Sequence, residues 1–206
     1  AHRTSPTNIG VSLLASLAAH DFGFISTRRL LDRTEDTLAT VEKLDRFRGH
    51  LYNWYDTRTL QPLPPLYVST VDSGNLLGHL LVLEAGLREL GDQPVVGPRA
   101  WQALADLIDM LAKASPSRAE ALAPLRARLV PPPATLGGAW SLAQALQARL
   151  EALPPPEPGE TWAEELLRQA MDTIVEPLSA LCAWLPLLSE PTEPISPARR
   201  LGMGPA

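Results

Sequence analysis

Prolines divide this chain into segments, and the segments between them carry a helical spacing of apolar residues. The chain has 21 prolines among 206 residues, and many stand in clusters such as residues 131–133 and 154–156. Proline lacks the amide hydrogen that regular structure needs, so each cluster interrupts a helix or strand. Between the clusters, apolar side chains recur at helical spacing, as in Ile9, Leu13 and Leu17. Only residues 67–69 have a pattern that would allow a brief strand pairing, so we expect an all-α fold.

The first two expected helices have recognisable starts. Ser5 followed by Pro6 is typical of a helix N-terminus, and this helix should end near residues 21–23. A second helix should begin after Ser26 or the threonine that follows it. It should run to about residue 48, where Gly49 ends it.

A third helix should follow Asp72 and Ser73, either of which can cap it. Its apolar residues between 76 and 90 form a wide face, which indicates burial on more than one side. The remaining helices are expected at residues 98–114, 117–129, 139–153 and 161–185. Pro177 should kink or restart the last of these. Residues 191–206 should form a proline-rich tail.

Composition excludes several functions. The net charge is −5, which is unsuitable for neutralising nucleic-acid phosphates. The single cysteine, Cys182, cannot form an internal disulfide or a four-cysteine zinc site. Apolar stretches are too short to span a membrane, and there is no apolar leader. No metal-binding or nucleotide-binding motif is present, so we expect no metal and no cofactor. Because it lacks an initial methionine, we expect the chain to be a piece of a longer polypeptide.

Three segments hold most of the distinctive polar and aromatic residues: polar segment 1 (residues 3–10), polar segment 2 (50–57) and polar segment 3 (67–76). Segments 1 and 3 can be explained as helix caps, and segment 2 as a small core under a loop. The functional interpretation is a sugar site. Aromatic faces can stack on a pyranose, and Asn and Asp side chains can bond its hydroxyls.

The three segments also resemble a known family. The runs RTSPTNIG and RGHLYNWYDTRTLQPLPPLYVSTVDSGNLLGHLL, with a helix between them, resemble the bacterial cyclic β-1,2-glucan synthases. The resemblance runs from residue 3 to residue 90, and the Ala/Leu-rich remainder matches only in general composition. In that family this stretch opens a soluble helical region similar to an (α/α)-toroid glycoside hydrolase. That region follows a membrane-embedded glycosyltransferase and is associated with cyclisation of the glucan by transglycosylation.

The resemblance implies an organisation for the chain. Residues 1–190 would be part of an (α/α) toroid, with 1–93 bearing the site and 94–190 supplying Ala/Leu-rich helices. Its partners would be β-1,2-glucan and the remainder of the parent polypeptide, at the cytoplasmic side of the bacterial inner membrane. We expect this segment neither to insert into the membrane nor to bind nucleic acid. The catalytic carboxylates are expected downstream of residue 206, so the piece alone should be inactive.

The residues expected to bind the glucan share hydroxyl, amide, carboxylate, guanidinium or aromatic chemistry and lie in the three polar segments. They are Arg3, Thr4, Asn8, Asn53, Trp54, Tyr55, Asp56, Ser69, Thr70, Asp72 and Asn75. A toroid places the N-termini of its helices around one cleft. Segments 1 and 3 lie at expected helix starts, which agrees with such a cleft. The alternative is a non-catalytic helical scaffold for protein–protein contact, supported by the Ala/Leu-rich second half. A membrane-surface module is a weaker third hypothesis, since the polar faces lack lysine.

Overall fold

The computed structural model describes residues 2–153, 155 and 161–184, and within them the chain is mostly helical. The helices are α1 (Pro6–Asp21), α2 (Thr27–Glu42), α3 (Thr70–Glu89), α4 (Pro98–Ala114), α5 (Pro116–Arg126), α6 (Leu136–Glu151) and α7 (Thr161–Leu181), with a 3-10 turn at Leu90–Asp92. The strands are β1 (Arg3–Thr4), β2 (Arg46–Phe47), β3 (His50–Leu51) and β4 (Tyr55–Asp56). The all-α class is confirmed. The expected tail at 191–206 lies outside the described residues.

Serine side chains cap the first three helices. The Oγ atom of Ser5 accepts from the backbone N–H of Asn8 at 3.3 Å, and Ser26 caps α2 in the same way. At α3 the cap is Ser69, whose Oγ accepts from Asp72 N at 3.1 Å. The prediction that Asp72 or Ser73 would cap this helix was therefore wrong. Asp72 lies in the first turn instead, where its negative charge is favourable.

The second helix is shorter than predicted. It ends at Glu42, and Gly49 lies in a later hairpin rather than at the helix end. The hairpin joins β2 to β3 through Arg48 and Gly49, whose φ angles are 47° and 86°. Two consecutive positive φ values are typical of the two-residue turn that matches strand twist, and Gly49 adopts one at little cost.

Residues 67–69, whose pattern would allow a brief strand pairing, form no strand, and the strands lie elsewhere. β1 pairs antiparallel with β4, with Arg3 opposite Asp56 and Thr4 opposite Tyr55. Ladders of two residues are too short to produce an alternating sequence pattern, so periodicity gave no signal for them. The β1–β4 ladder joins polar segment 1 to polar segment 2.

Helices α1 and α3 are parallel and closely packed. A Cβ atom added at Gly10 of α1 would lie 2.3 Å from His79 Nδ1 of α3, and one added at Gly86 of α3 would lie 2.6 Å from Leu17 of α1. Both contacts join residues 69 positions apart, so the two helices run in the same direction. Each helix thus gives the other a glycine against which a side chain packs. The N-termini of α1 and α3, with polar segments 1 and 3, lie at the same end.

The buried side chains form two hydrophobic cores. The first lies among α1, α2, α3 and the loop between α2 and α3, and the second lies among α4, α5, α6 and α7. The first contains Ile9, Leu13, Leu17, Leu30, Leu44, Leu51, Tyr55 and Leu83. The stretch predicted as one domain, residues 1–190, therefore holds two cores. Helix α7 continues from Thr161 to Leu181 through Pro177, so this proline does not restart it.

Polar contacts connect the two cores at the α1–α2 loop. Glu176 of α7 accepts from Ser26 Oγ at 2.5 Å and pairs with Arg28 Nε at 2.7 Å. Gly23 has φ of 79°, and a Cβ atom there would lie 2.6 Å from the carbonyl oxygen of Arg99. The second core therefore holds the loop that joins α1 to α2.

One face of α3 is not covered. Val71, Leu77, Leu81 and Val82 are all more than half exposed, and in this helix only Leu83 is buried. The predicted burial on more than one side is therefore wrong within this chain. No helix in the described part of the chain has the length and hydropathy of a membrane span.

The glycine contact at the α1–α3 crossing gives a stability prediction. We expect Gly10→Ala to lower the free energy of unfolding by about 1–3 kcal/mol, because the new methyl group must displace His79 and the helix it belongs to. The matched control is Gly78→Ala on α3, where an added Cβ would meet no atom within 4 Å. Alanine there should stabilise by about 0.5–1 kcal/mol. Urea unfolding measures both, and equal effects of the two substitutions would contradict the packing described.

Candidate functional site

The three polar segments are joined by hydrogen bonds of Asn53 and Asp72. The relative exposure of Asn53 is 6%, so its amide must be satisfied within the protein. The orientation that does this has the nitrogen donating to Asp72 Oδ2 at 2.8 Å and the oxygen accepting from Trp54 Nε1 at 2.6 Å and Tyr67 Oη at 2.5 Å. The opposite orientation would place the amide oxygen against the carboxylate. Asn53 therefore joins polar segment 2 to polar segment 3.

Asp72 joins the N-termini of α1 and α3. Its Oδ1 atom accepts from Thr7 Oγ1 at 2.6 Å, and Thr7 in turn accepts from Asn75 Nδ2 at 3.2 Å. Hydrogen bonds from the hydroxyls of Ser69 and Thr7 hold the pKa of Asp72 below its usual range. The carboxylate is therefore ionised at neutral pH and acts as an acceptor. It fixes the relative position of the two helix starts.

Trp54 lies under a cation. The Arg3 guanidinium carbon is 4.5 Å from the centroid of the Trp54 ring, within the range of a cation–π contact. The β1–β4 ladder places Arg3 there, and the bond from Leu63 N to Trp54 O at 2.8 Å fixes the backbone of Trp54. The ring is half-buried, with its polar edge on Asn53 and one face under Arg3.

Tyr55 faces inward. It is 0% exposed, its hydroxyl donates to Asp45 O at 2.7 Å, and the same oxygen accepts from Tyr52 N at 2.7 Å. Burial raises the pKa of this phenol. In this conformation no face of the ring is available to a ligand, so Tyr55 supports the loop from beneath. The sequence pattern did not separate it from its half-buried neighbours Trp54 and Asp56.

Thr4 and Asp56 lie apart from the Asn53 network. Both line a mostly apolar cavity of about 300 Å³ against α2, together with Val41 and Leu60. Asp56 accepts from the backbone N–H of Arg58 at 2.7 Å, and its pKa is lowered by that bond and by the Arg58 side chain. Its role in the structure is to close the turn that follows β4.

The remaining expected residues, Asn8 and Thr70, are exposed in the first turns of α1 and α3. Two residues of the network were absent from the expected set. Thr7 bonds Asp72, and Tyr67 bonds Asn53 through both its hydroxyl and its carbonyl oxygen, the latter accepting from Asn53 N at 2.9 Å. Thr7 lies in polar segment 1 and Tyr67 in polar segment 3. The aromatic side chain of Tyr67, in a segment rich in polar residues, could have identified it as a candidate site residue.

The arrangement suits binding more than proton transfer. A general acid working near neutral pH needs a raised pKa, whereas the pKa values of Asp56 and Asp72 are both lowered. Among the described residues, no three His, Cys, Asp or Glu side chains are grouped so as to hold a metal ion. The exposed residues at this end of the two parallel helices include Asn8, Thr70, Asn75 and Tyr67, whose amide, hydroxyl and aromatic chemistry suits a neutral polyhydroxyl ligand.

Comparison with known proteins shows a relative over part of the chain. The chain is similar to the cyclic β-(1,2)-glucan synthase NdvB of Rhizobium meliloti (strain 1021), with 51% identity over 94 residues. The matched stretch is 46% of this chain and 3% of that protein, so the chain spans a small fraction of its relative. No family model matches the chain. Over the matched stretch the two proteins are related.

The lowered pKa of Asp72 predicts a pH dependence of stability. A carboxyl whose pKa is lower in the folded state contributes fully above its unfolded pKa, about 3.9, and loses that contribution as pH falls through the folded value. We therefore expect Asp72→Asn to cost about 1.5 kcal/mol at pH 7, and this difference to shrink below about pH 4. Thermal unfolding across that pH range measures it. The exposed residue Asp92 provides the control, Asp92→Asn, and a pH-independent difference for Asp72→Asn would contradict the assignment.

Proposed function

We propose that this chain is a portion of an enzyme of cyclic β-1,2-glucan synthesis and contributes one wall of the cleft that binds the glucan during cyclisation. The observation that carries the proposal is the hydrogen-bond network of Asn53 and Asp72, which joins the three polar segments at one end of the α1–α3 pair. The related protein is a cyclic β-(1,2)-glucan synthase by name, which supports the same substrate class.

The parallel alignment of α1 and α3 supports the toroid part of the proposal. In an (α/α) toroid the inner helices run in one direction, and the loops at their N-termini form the cleft. Here α1 and α3 are parallel, and α2 lies between them in the sequence. The catalytic carboxylates would come from another part of the parent protein, at the cytoplasmic side of the membrane. The role of this chain would be to position the glucan for transglycosylation.

The scaffold hypothesis has one specific observation in its favour. The exposed aliphatic face of α3, formed by Val71, Leu77, Leu81 and Val82, is the kind of surface that another helix covers. A scaffold would use this face and would have no need of the Asn53 network. Binding of a glucan at Trp54 therefore separates the two hypotheses.

Titration with linear β-1,2-glucan tests the proposed function. Calorimetry is the readout, because Trp54→Ala removes a fluorescent reporter along with the ring. We expect Trp54→Ala to weaken binding by about tenfold or more, since an aromatic platform contributes on the order of 1 kcal/mol beyond its buried area. The matched control is Trp162→Ala in α7, whose side chain is 47% exposed and lies outside the site.

The outcome is interpreted against the folding of each variant. A cooperative thermal transition shows that the chain is folded before titration. No binding heat from the folded chain, or equal weakening by Trp54→Ala and Trp162→Ala, would contradict a glucan site at polar segment 2.

A further inference from the structure

We infer that Tyr67 is a second sugar-stacking residue, held beside Trp54 by the amide of Asn53, so that the two rings serve neighbouring units of one glucan chain. This inference rests on the proposed function and extends it to the length of the ligand. It is based on the way in which both aromatic side chains end on a single oxygen atom.

Asn53 holds Tyr67 at two points. The backbone N–H of Asn53 donates to Tyr67 O at 2.9 Å, and the Tyr67 hydroxyl is 2.5 Å from the Asn53 amide. The backbone bond sets where the Tyr67 side chain leaves the chain, and the hydroxyl bond sets where it ends. A tyrosine fixed at both ends keeps its ring in one place without being buried.

The body of the Tyr67 ring is accessible. Tyr67 is 46% exposed, although its hydroxyl is hydrogen-bonded to the Asn53 amide. An exposed aromatic ring whose polar edge is bonded inward presents its apolar part outward, which is the form in which Tyr and Trp serve at binding surfaces. The polar edge of Trp54 is bonded in the same way, since its Nε1 atom donates to the same Asn53 oxygen, but the Trp54 ring is half-buried and Arg3 lies over one of its faces.

The shared oxygen places the two rings next to each other. The Trp54 Nε1 and Tyr67 Oη atoms both bond the Asn53 oxygen, so the polar edges of the two rings lie side by side. The apolar parts of the two rings extend away from that oxygen. Asp72 receives the amide hydrogen on the other side and prevents the amide from turning over. Asn53 is thus a positioning residue for two rings, and the ligand that uses both must be longer than one that covers a single ring.

Length-dependent binding is the test. Calorimetry with the disaccharide and with a long linear β-1,2-glucan is run on the wild type, Tyr67→Ala, Trp54→Ala and the control Leu66→Ala, whose side chain is 57% exposed beside Tyr67. We expect Tyr67→Ala to weaken binding of the long glucan about tenfold and binding of the disaccharide by less than about threefold. Leu66→Ala should change neither. A role confined to loop stability would lower the melting temperature of Tyr67→Ala without this dependence on ligand length.

The outcomes separate this inference from the proposed function. If Tyr67→Ala binds the long glucan as the wild type does while Trp54→Ala does not, the role of Tyr67 as a second stacking residue is contradicted. The proposed glucan site at Trp54 is then retained. If neither substitution changes binding, both proposals fail. The variant Tyr67→Phe keeps the ring and removes its bond to Asn53, and an intermediate loss is expected. Wild-type affinity in Tyr67→Phe would show that Asn53 does not position the ring.

Discussion

The parallel packing of α1 against α3 is the constraint on which the rest of the site depends. Gly10 receives His79 and Gly86 receives Leu17, so the helices approach closely with a fixed offset along their length. That offset decides which residues of the two N-termini meet. Thr7 reaches Asp72 only because the register brings their first turns to the same level. The Asn53 amide then bonds a carboxylate whose position is already fixed.

Local signals in the sequence predicted the helices well. Ser5 with Pro6 identified the start of α1, and α4 begins and ends where its pattern predicted, at residues 98 and 114. These features depend on residues close together in the chain. The choice of Ser69 over Asp72 as the cap of α3 was missed, because several residues there can cap and only the path of the preceding loop selects one.

The site was predicted in composition but not in geometry. The polar segments were recognisable because their residue types exceed what helix caps require. The burial of Tyr55, the separation of Asp56 from the Asn53 network and the role of Tyr67 all depend on contacts between residues distant in the sequence. Four glycines lie in α1 and α3, and no local rule distinguishes the two that are packed against a neighbour from the two that are open. The sequence pattern does not contain the relative alignment of helices that are distant in the chain, and these contacts depend on that alignment.

Parallel alignment also has an electrostatic consequence at the site. Each helix carries a partial positive charge at its N-terminus, and in a parallel pair these charges add instead of cancelling. The carboxylate of Asp72 lies between the two N-termini and supplies the opposing charge from within the protein. The partial charges of the two helix N-termini are therefore largely compensated before any ligand arrives. The two helix N-termini therefore add little attraction for phosphate or carboxylate groups, and the positive charge beside Trp54 is that of the Arg3 guanidinium.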